Sequence, residues 1–409
     1  MKQVVTIFLS RIAGGALLFL LTIFLKELVL DELEFVSFSI SYAYLIFLSS
    51  FSVIILNSII VRKAFEINSA EEFPLILFYL IFFIFICYIS VEFSIYTNFL
   101  KKETRLSSLY FLLSSLFGSV INGNFQIRQS FVKMAIWEFI KNITTFLIIY
   151  IFLKIKFHIN SNTVIIILSI SNLYYLFFFI RYFIKNYKNI NIGNLKRYLN
   201  KHFKSDISFG FSFILFSSLA NYVIAFDRLQ IQKFNNTNLY KANYAYTADL
   251  VSKLMNSFLF PLNISISSNI GFLHKNGNVK EFNSKIFQSA SQTLIIGLII
   301  TIILLISNSI ISHIFNINTI VFNDQALIFY TVGISIYLSS ILFQKQYDYT
   351  KFLKFLPFAL LVISFFLIIL VVNLFNIINI SYFFYVFLAY AIFLLLSSLY
   401  LKKLKYAII

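Results

Sequence analysis

The chain has 409 residues, of which 60% are hydrophobic and only 12% charged, and its mean hydropathy is +0.87. Soluble globular chains are about half apolar and a quarter charged, so this balance excludes any sizeable soluble catalytic domain and requires lipid as the solvent. The net charge of +17 would suit a nucleic-acid surface, but the basic residues are dispersed over short polar segments between apolar runs, which membrane topology alone accounts for. No nucleic-acid partner is expected.

A helix that crosses ~30 Å of hydrocarbon takes roughly 20 apolar residues, and only helices and closed barrels satisfy their backbone groups there. Six such runs fill the first half, near 6–28, 35–59, 73–96, 106–126, 133–153 and 161–182. Six more lie near 207–232, 242–271, 287–315, 326–343, 353–374 and 380–401. The runs are continuous, whereas barrel strands alternate in ~10-residue segments. The first run is too long for a signal peptide and lacks an A-x-A-like cleavage site, so it reads as a retained helix. Pro74 and Pro357 fall in first turns, where a missing N–H costs little; Pro261, inside the eighth run, predicts a kink.

The expected fold is all-α: a polytopic membrane protein of about 12 transmembrane helices in two six-helix lobes around a central cavity. The lobes are residues 1–184 and 207–409, joined by a basic cytoplasmic linker over 185–206. A weak repeat supports the halves: Asp31 to Leu45 resembles Asn238 to Leu250, and each segment opens the second helix of its half. Paired bundles with a substrate site at the repeat interface are a recurring transporter architecture. With the N-terminus inside, 21 Lys and Arg residues fall on the cytoplasmic side and 8 outside, which places both termini in the cytoplasm. The Lys101–Arg105 segment fits least well.

Charged residues within the runs are the sharpest chemical signal, since each costs at least ~2.5 to 3.5 kcal/mol at a helix centre. They are Arg11, Glu92, Glu138, Lys141, Asp227, Arg228, Asp249 and Lys253. Asp227, Arg228 and Asp249 should share a depth, and Asp249 with Lys253, like Glu138 with Lys141, has the spacing of an intrahelical pair. Arg11 has no acid nearby in sequence and is the best candidate for a cation facing a cavity. Two readings stand: a positively charged path for an anionic head group, or salt bridges that fix helix packing. The amides Asn57, Asn221, Asn256, Asn263 and Asn269 fit either a path or interhelical bonds. His158, His202, His274 and His313 lack zinc-site spacing, the one cysteine, Cys87, excludes an intrachain disulfide, and no phosphate-binding glycine loop or hydrolase motif is present. No metal or cofactor is expected, and transport would draw on a gradient.

The segment Asn221-Tyr-Val-Ile-Ala-Phe-Asp227-Arg228-Leu-Gln-Ile231, followed by Leu239-Tyr-Lys-Ala-Asn-Tyr244-Ala-Tyr-Thr-Ala248 and Phe260-Pro261, resembles Wzx-type polysaccharide flippases. These belong to the multidrug/oligosaccharidyl-lipid/polysaccharide exporter superfamily. The chain departs from their pattern where a glycine is usual, with Ala242 before Asn243-Tyr244 and Val36 before Ser37-Phe38. The resemblance implies a non-enzymatic flippase of the bacterial inner membrane. It would move undecaprenyl-pyrophosphate-linked oligosaccharide outward for O-antigen, lipopolysaccharide or capsule assembly, and would act beside a polysaccharide polymerase and chain-length machinery. Arg11, Arg228, Lys253 and Lys141 would then meet the phosphates, and Asp227 or Asp249 would carry the coupling ion. The alternatives are a small-molecule or drug exporter of the same superfamily, and a membrane polysaccharide polymerase or ligase.

Overall fold

The structure is a computed structural model and describes residues 20–50, 69–97, 100–127, 130–155, 157–186, 237–252, 279–315 and 324–344, with shorter stretches between and beyond them. Among these residues there is no strand. Among the described residues six helical spans are long and apolar enough to cross a membrane, so the protein is an all-α, multi-pass membrane protein. It divides into two compact units: Met1–Ser10 with Leu28–Ala225, and Arg11–Glu27 with Phe226–Ile409.

A π-helical turn, Leu25–Val29, spans the boundary between the units in sequence, and the first unit continues with α1 (Glu32–Ser50), α2 (Ser69–Tyr96), α3 (Arg105–Ile127) and α4 (Phe131–Lys154). The sixth apolar run is one span by hydropathy but two helices in the structure, α5 (Ser161–Ile170) and α6 (Leu173–Asn186). Its break has a local cause. The Ser169 and Ser171 hydroxyls donate back to the carbonyls of Ile165 and Ile167, and the Asn172 amide turns away to donate to Ser114 of α3 at 3.3 Å. Short polar side chains compete in this way with the helical ladder.

Helix α3 is the hub of this unit and packs on α1, α2, α4, α5 and α6. The composition of α3 explains why. Ser107, Ser108, Ser114, Gly118 and Ser119 allow close backbone approach, which drives helix association where lipid removes the hydrophobic incentive. A Cβ at Gly118 would sit 3.2 Å from the Tyr175 ring of α6. The span containing α3 is 61% buried and that of α4 only 11%, so α3 is central and α4 peripheral. Neighbouring α1 and α2 run antiparallel: Tyr44 shares a 3.0 Å hydrogen bond with Ser94, and Cys87 donates to Ser52 at 3.2 Å.

In the second unit the described helices are α7 (238–252), α8 (Val279–Phe315) and α9 (Asp324–Gln344). At 37 residues, α8 is about 55 Å long and starts eight residues before the apolar run, because Val279–Lys285 continues the helix into water with Glu281 and Lys285 exposed. Helices α8 and α9 meet along small residues. Thr301 and Thr331 share a 2.9 Å hydrogen bond, Ser339 donates to the Ala290 carbonyl at 3.2 Å, and Gly297 faces Ser335.

The repeat seen in the sequence has a structural counterpart. Asp31 caps α1 by accepting the Glu34 N–H at 2.8 Å, and Thr237 caps α7 by accepting the Tyr240 N–H at 3.3 Å. Both are N-cap contacts to the third helical residue. Phe38 in α1 and Tyr244 in α7 are both buried. The runs near 6–28, 207–232, 353–374 and 380–401 lie wholly or mostly outside the described residues, as do Pro74's side chain, Pro261 and Pro357.

A Cβ at Gly297 would overlap both Oγ and Cβ of Ser335. Gly297→Ala should therefore destabilise the α8–α9 pair by about 1 to 3 kcal/mol, as overpacking does. Adding Ser335→Gly should restore stability, whereas Ser335→Ala, which keeps the Cβ, should not. Thermal or denaturant unfolding of the detergent-solubilised protein measures all three.

Candidate functional site

The α7 segment decides the site. From Ala242 to Val251 every residue is buried, so the polar groups on this helix have no bulk water to fall back on. Ala242, Ala245 and Ala248 let neighbours close in, while Tyr244 and Tyr246 fill volume with 0% and 1% exposure. Within this packing Asp249 is 0% exposed and Arg228 4%, and Arg228 Nη1 donates to Asp249 Oδ1 at 2.5 Å. The Asp249 backbone carbonyl also accepts from Ser252 Oγ at 3.1 Å. A charge-assisted bond of this kind is about twice as strong as a neutral one, but it must offset the desolvation of both ions, several kcal/mol each.

Two further polar features lie in the same unit. Lys26 is paired with Glu27 at 2.8 Å and lies over the Tyr246 ring, 4.9 Å from its centre, within cation–π range. Asn243 is 1% exposed, and neither its side-chain oxygen nor its nitrogen has a hydrogen-bond partner. Leaving a buried amide unmade costs about 1 to 3 kcal/mol. Neither feature was singled out by sequence reasoning. Lys26 reads in sequence as a span-end charge, and Asn243 becomes conspicuous only when its helix is seen to be buried on all sides.

Of the residues expected to act on substrate or ion, Arg228 and Asp249 are brought together. Asp249 therefore has an interhelical partner in Arg228, while Lys253, which the sequence offered on its own helix, lies outside the described residues. Lys141 stands with Glu138 on the peripheral α4, both partly buried. Arg11, Asp227, Lys253 and Pro261 lie outside the described residues, as do Asn57, Asn221, Asn256, Asn263 and Asn269. Glu92, near the end of its span, forms a 2.5 Å ion pair with Arg105, and Arg105 also donates to Tyr88 at 3.4 Å. Both Glu92 and Arg105 are substantially exposed, so this is an interfacial pair, and it engages one of the three charges in the segment that fits the orientation least well.

Arg228→Ala should cost about 3 to 5 kcal/mol by taking the guanidinium away from the buried Asp249 carboxylate; adding Asp249→Ala should recover much of that loss in an unfolding titration. Asn243→Leu removes an unpartnered amide and should leave stability equal or higher. If Asn243 serves a ligand, transport falls while the melting temperature does not.

No protein-family model matches the chain, and no curated protein matches it. Its backbone is similar to that of a eukaryotic MATE transporter, AtDTX14, with a TM-score of 0.60 and 12% identity over 98% of this chain and 93% of the other. A structure described only as protein A aligns with a TM-score of 0.65 and 14% identity over 98% and 95%. At these identities the likeness is one of fold, and it extends over nearly the whole chain.

Proposed function

We propose that this chain is a membrane exporter of the multidrug/oligosaccharidyl-lipid/polysaccharide exporter superfamily, with a small-molecule cargo as the first reading. The observation that carries this is the near full-length likeness in fold to a MATE transporter, in a chain whose composition leaves room for little besides membrane helices. The buried Arg228–Asp249 pair adds a chemical argument. A well-packed apolar substitute for such a pair is often neutral or stabilising, so the pair is poorly explained by stability alone. A carboxylate that takes up a proton or sodium ion would release the guanidinium, and a guanidinium claimed by an anion would release the carboxylate. That reciprocity is what couples an ion gradient to cargo.

A second reading, a flippase for undecaprenyl-pyrophosphate-linked oligosaccharide, is favoured by the segment from Asn221 to Ile231 and by the fit of a released Arg228 to a diphosphate. In that reading Arg11, Lys253 and Lys141 supply further positive charge, and Asp227 or Asp249 takes the ion. The excess of basic residues in alternate polar segments, 21 against 8, favours a bacterial inner membrane with both termini in the cytoplasm. Against the polymerase or ligase alternative, the outer segments expected from the sequence are short and carry no catalytic constellation.

The test is reconstitution into liposomes under an imposed proton or sodium gradient, with a fluorescent cationic drug and a fluorescent lipid-pyrophosphate oligosaccharide as separate cargoes. Movement of the drug alone supports the small-molecule exporter. Movement of the lipid-linked sugar alone supports the flippase, and no gradient-driven movement of either overturns the proposal. In the active case, Asp249→Asn should abolish the dependence on the gradient.

A further inference from the structure

Helix α6 ends in a strongly amphipathic stretch: Phe177, Ile180, Phe183 and Ile184 are exposed apolar residues, and Arg181 is exposed among them. Beyond it the linker, expected to be a loop, has helical residues at Gly193, Lys196, Leu199, Asn200 and Phe203. Phe203 packs edge-on against Phe78 of α2, with ring centres 6.1 Å apart. Phe78 lies five residues inside the apolar run near 73–96, or about 7 Å along a helix. The ring contact therefore holds this part of the linker near the end of the hydrocarbon, not out in the water. Lys196 and Asn200 are exposed and form one i,i+4 row, beside the row of Leu199 and Phe203. In sequence, Lys204 continues the spacing of Lys196 and Asn200, Arg197 and Lys201 stand four apart beside them, and Leu195 continues the spacing of Leu199 and Phe203. From Arg181 to Ser205 there are seven basic residues and no acidic one.

We infer that the 193–204 segment of the linker is an interfacial docking surface for anionic phospholipid head groups. A basic amphipathic helix held at the level of the head groups gains both apolar burial and attraction to anionic lipid, at about 1 kcal/mol per Lys or Arg near a charged surface. The charge complementarity is one-sided, since an acid-free stretch has nothing of its own to neutralise it. Anionic lipid thus anchors this segment of the first unit. The inference is independent of what the protein carries.

The full-length protein in detergent is titrated with phosphatidylglycerol or phosphatidylcholine, and bound lipid is counted by native mass spectrometry. Phosphatidylglycerol should be retained in preference to phosphatidylcholine, and the preference should fade as salt rises. Combining Lys196→Gln, Arg197→Gln, Lys201→Gln and Lys204→Gln should weaken phosphatidylglycerol binding by about fivefold per charge removed. Lys101→Gln with Lys102→Gln, near the start of α3, should leave it unchanged. Replacing the three lysines with arginine should preserve binding, which separates loss of charge from misfolding. Equal binding of the two lipids, wild-type binding by the glutamine variant, or loss of binding in the arginine variant would each overturn the inference.

Discussion

In a bilayer the backbone must satisfy its own hydrogen bonds, and once it has done so, burying one apolar helix against another gains little over burying it in lipid. What then holds the helices of this protein together is close approach and a sparse set of polar contacts. The pairs Tyr44–Ser94, Cys87–Ser52, Asn172–Ser114 and Thr301–Thr331 all join helices that are neighbours in the fold, and Gly297 lets α8 and α9 draw together at Ser335. The central position of α3 follows from its run of serines and glycines. Helix α4 is the exposed one, and among its described side chains only Asn142, Thr145 and Ile149 are buried.

The same low-dielectric surroundings make ionic groups expensive, so their placement is informative. Arg228 and Asp249 are far from water and engage each other, whereas Arg105 and Glu92 meet at the partly exposed end of a span. The first pair is set into a helix buried on every side, and the second sits where a charge costs little.

Charge outside the spans is organised by a different rule. The stretch from Arg181 to Ser205 has seven basic residues and no acidic one. Within it Phe203 seats on Phe78 of α2, which ties this basic stretch to the first turns of an apolar helix.

The sequence by itself determined the all-α membrane class and the positions of the described spans. These follow from hydropathy and spacing, which are one-dimensional properties enforced by the thickness of the bilayer. Only the tertiary structure decided that Asp249 meets Arg228, which is 21 residues away in sequence. It alone showed that the sixth span is broken at Ser171–Asn172 and that Asn243 is enclosed with no hydrogen-bond partner among the described residues. The reason is that an apolar helix in lipid has no amphipathic stripe to announce which face is inward. Which polar side chains meet is therefore set by how helices from distant parts of the chain pack, and their periodicity does not record it.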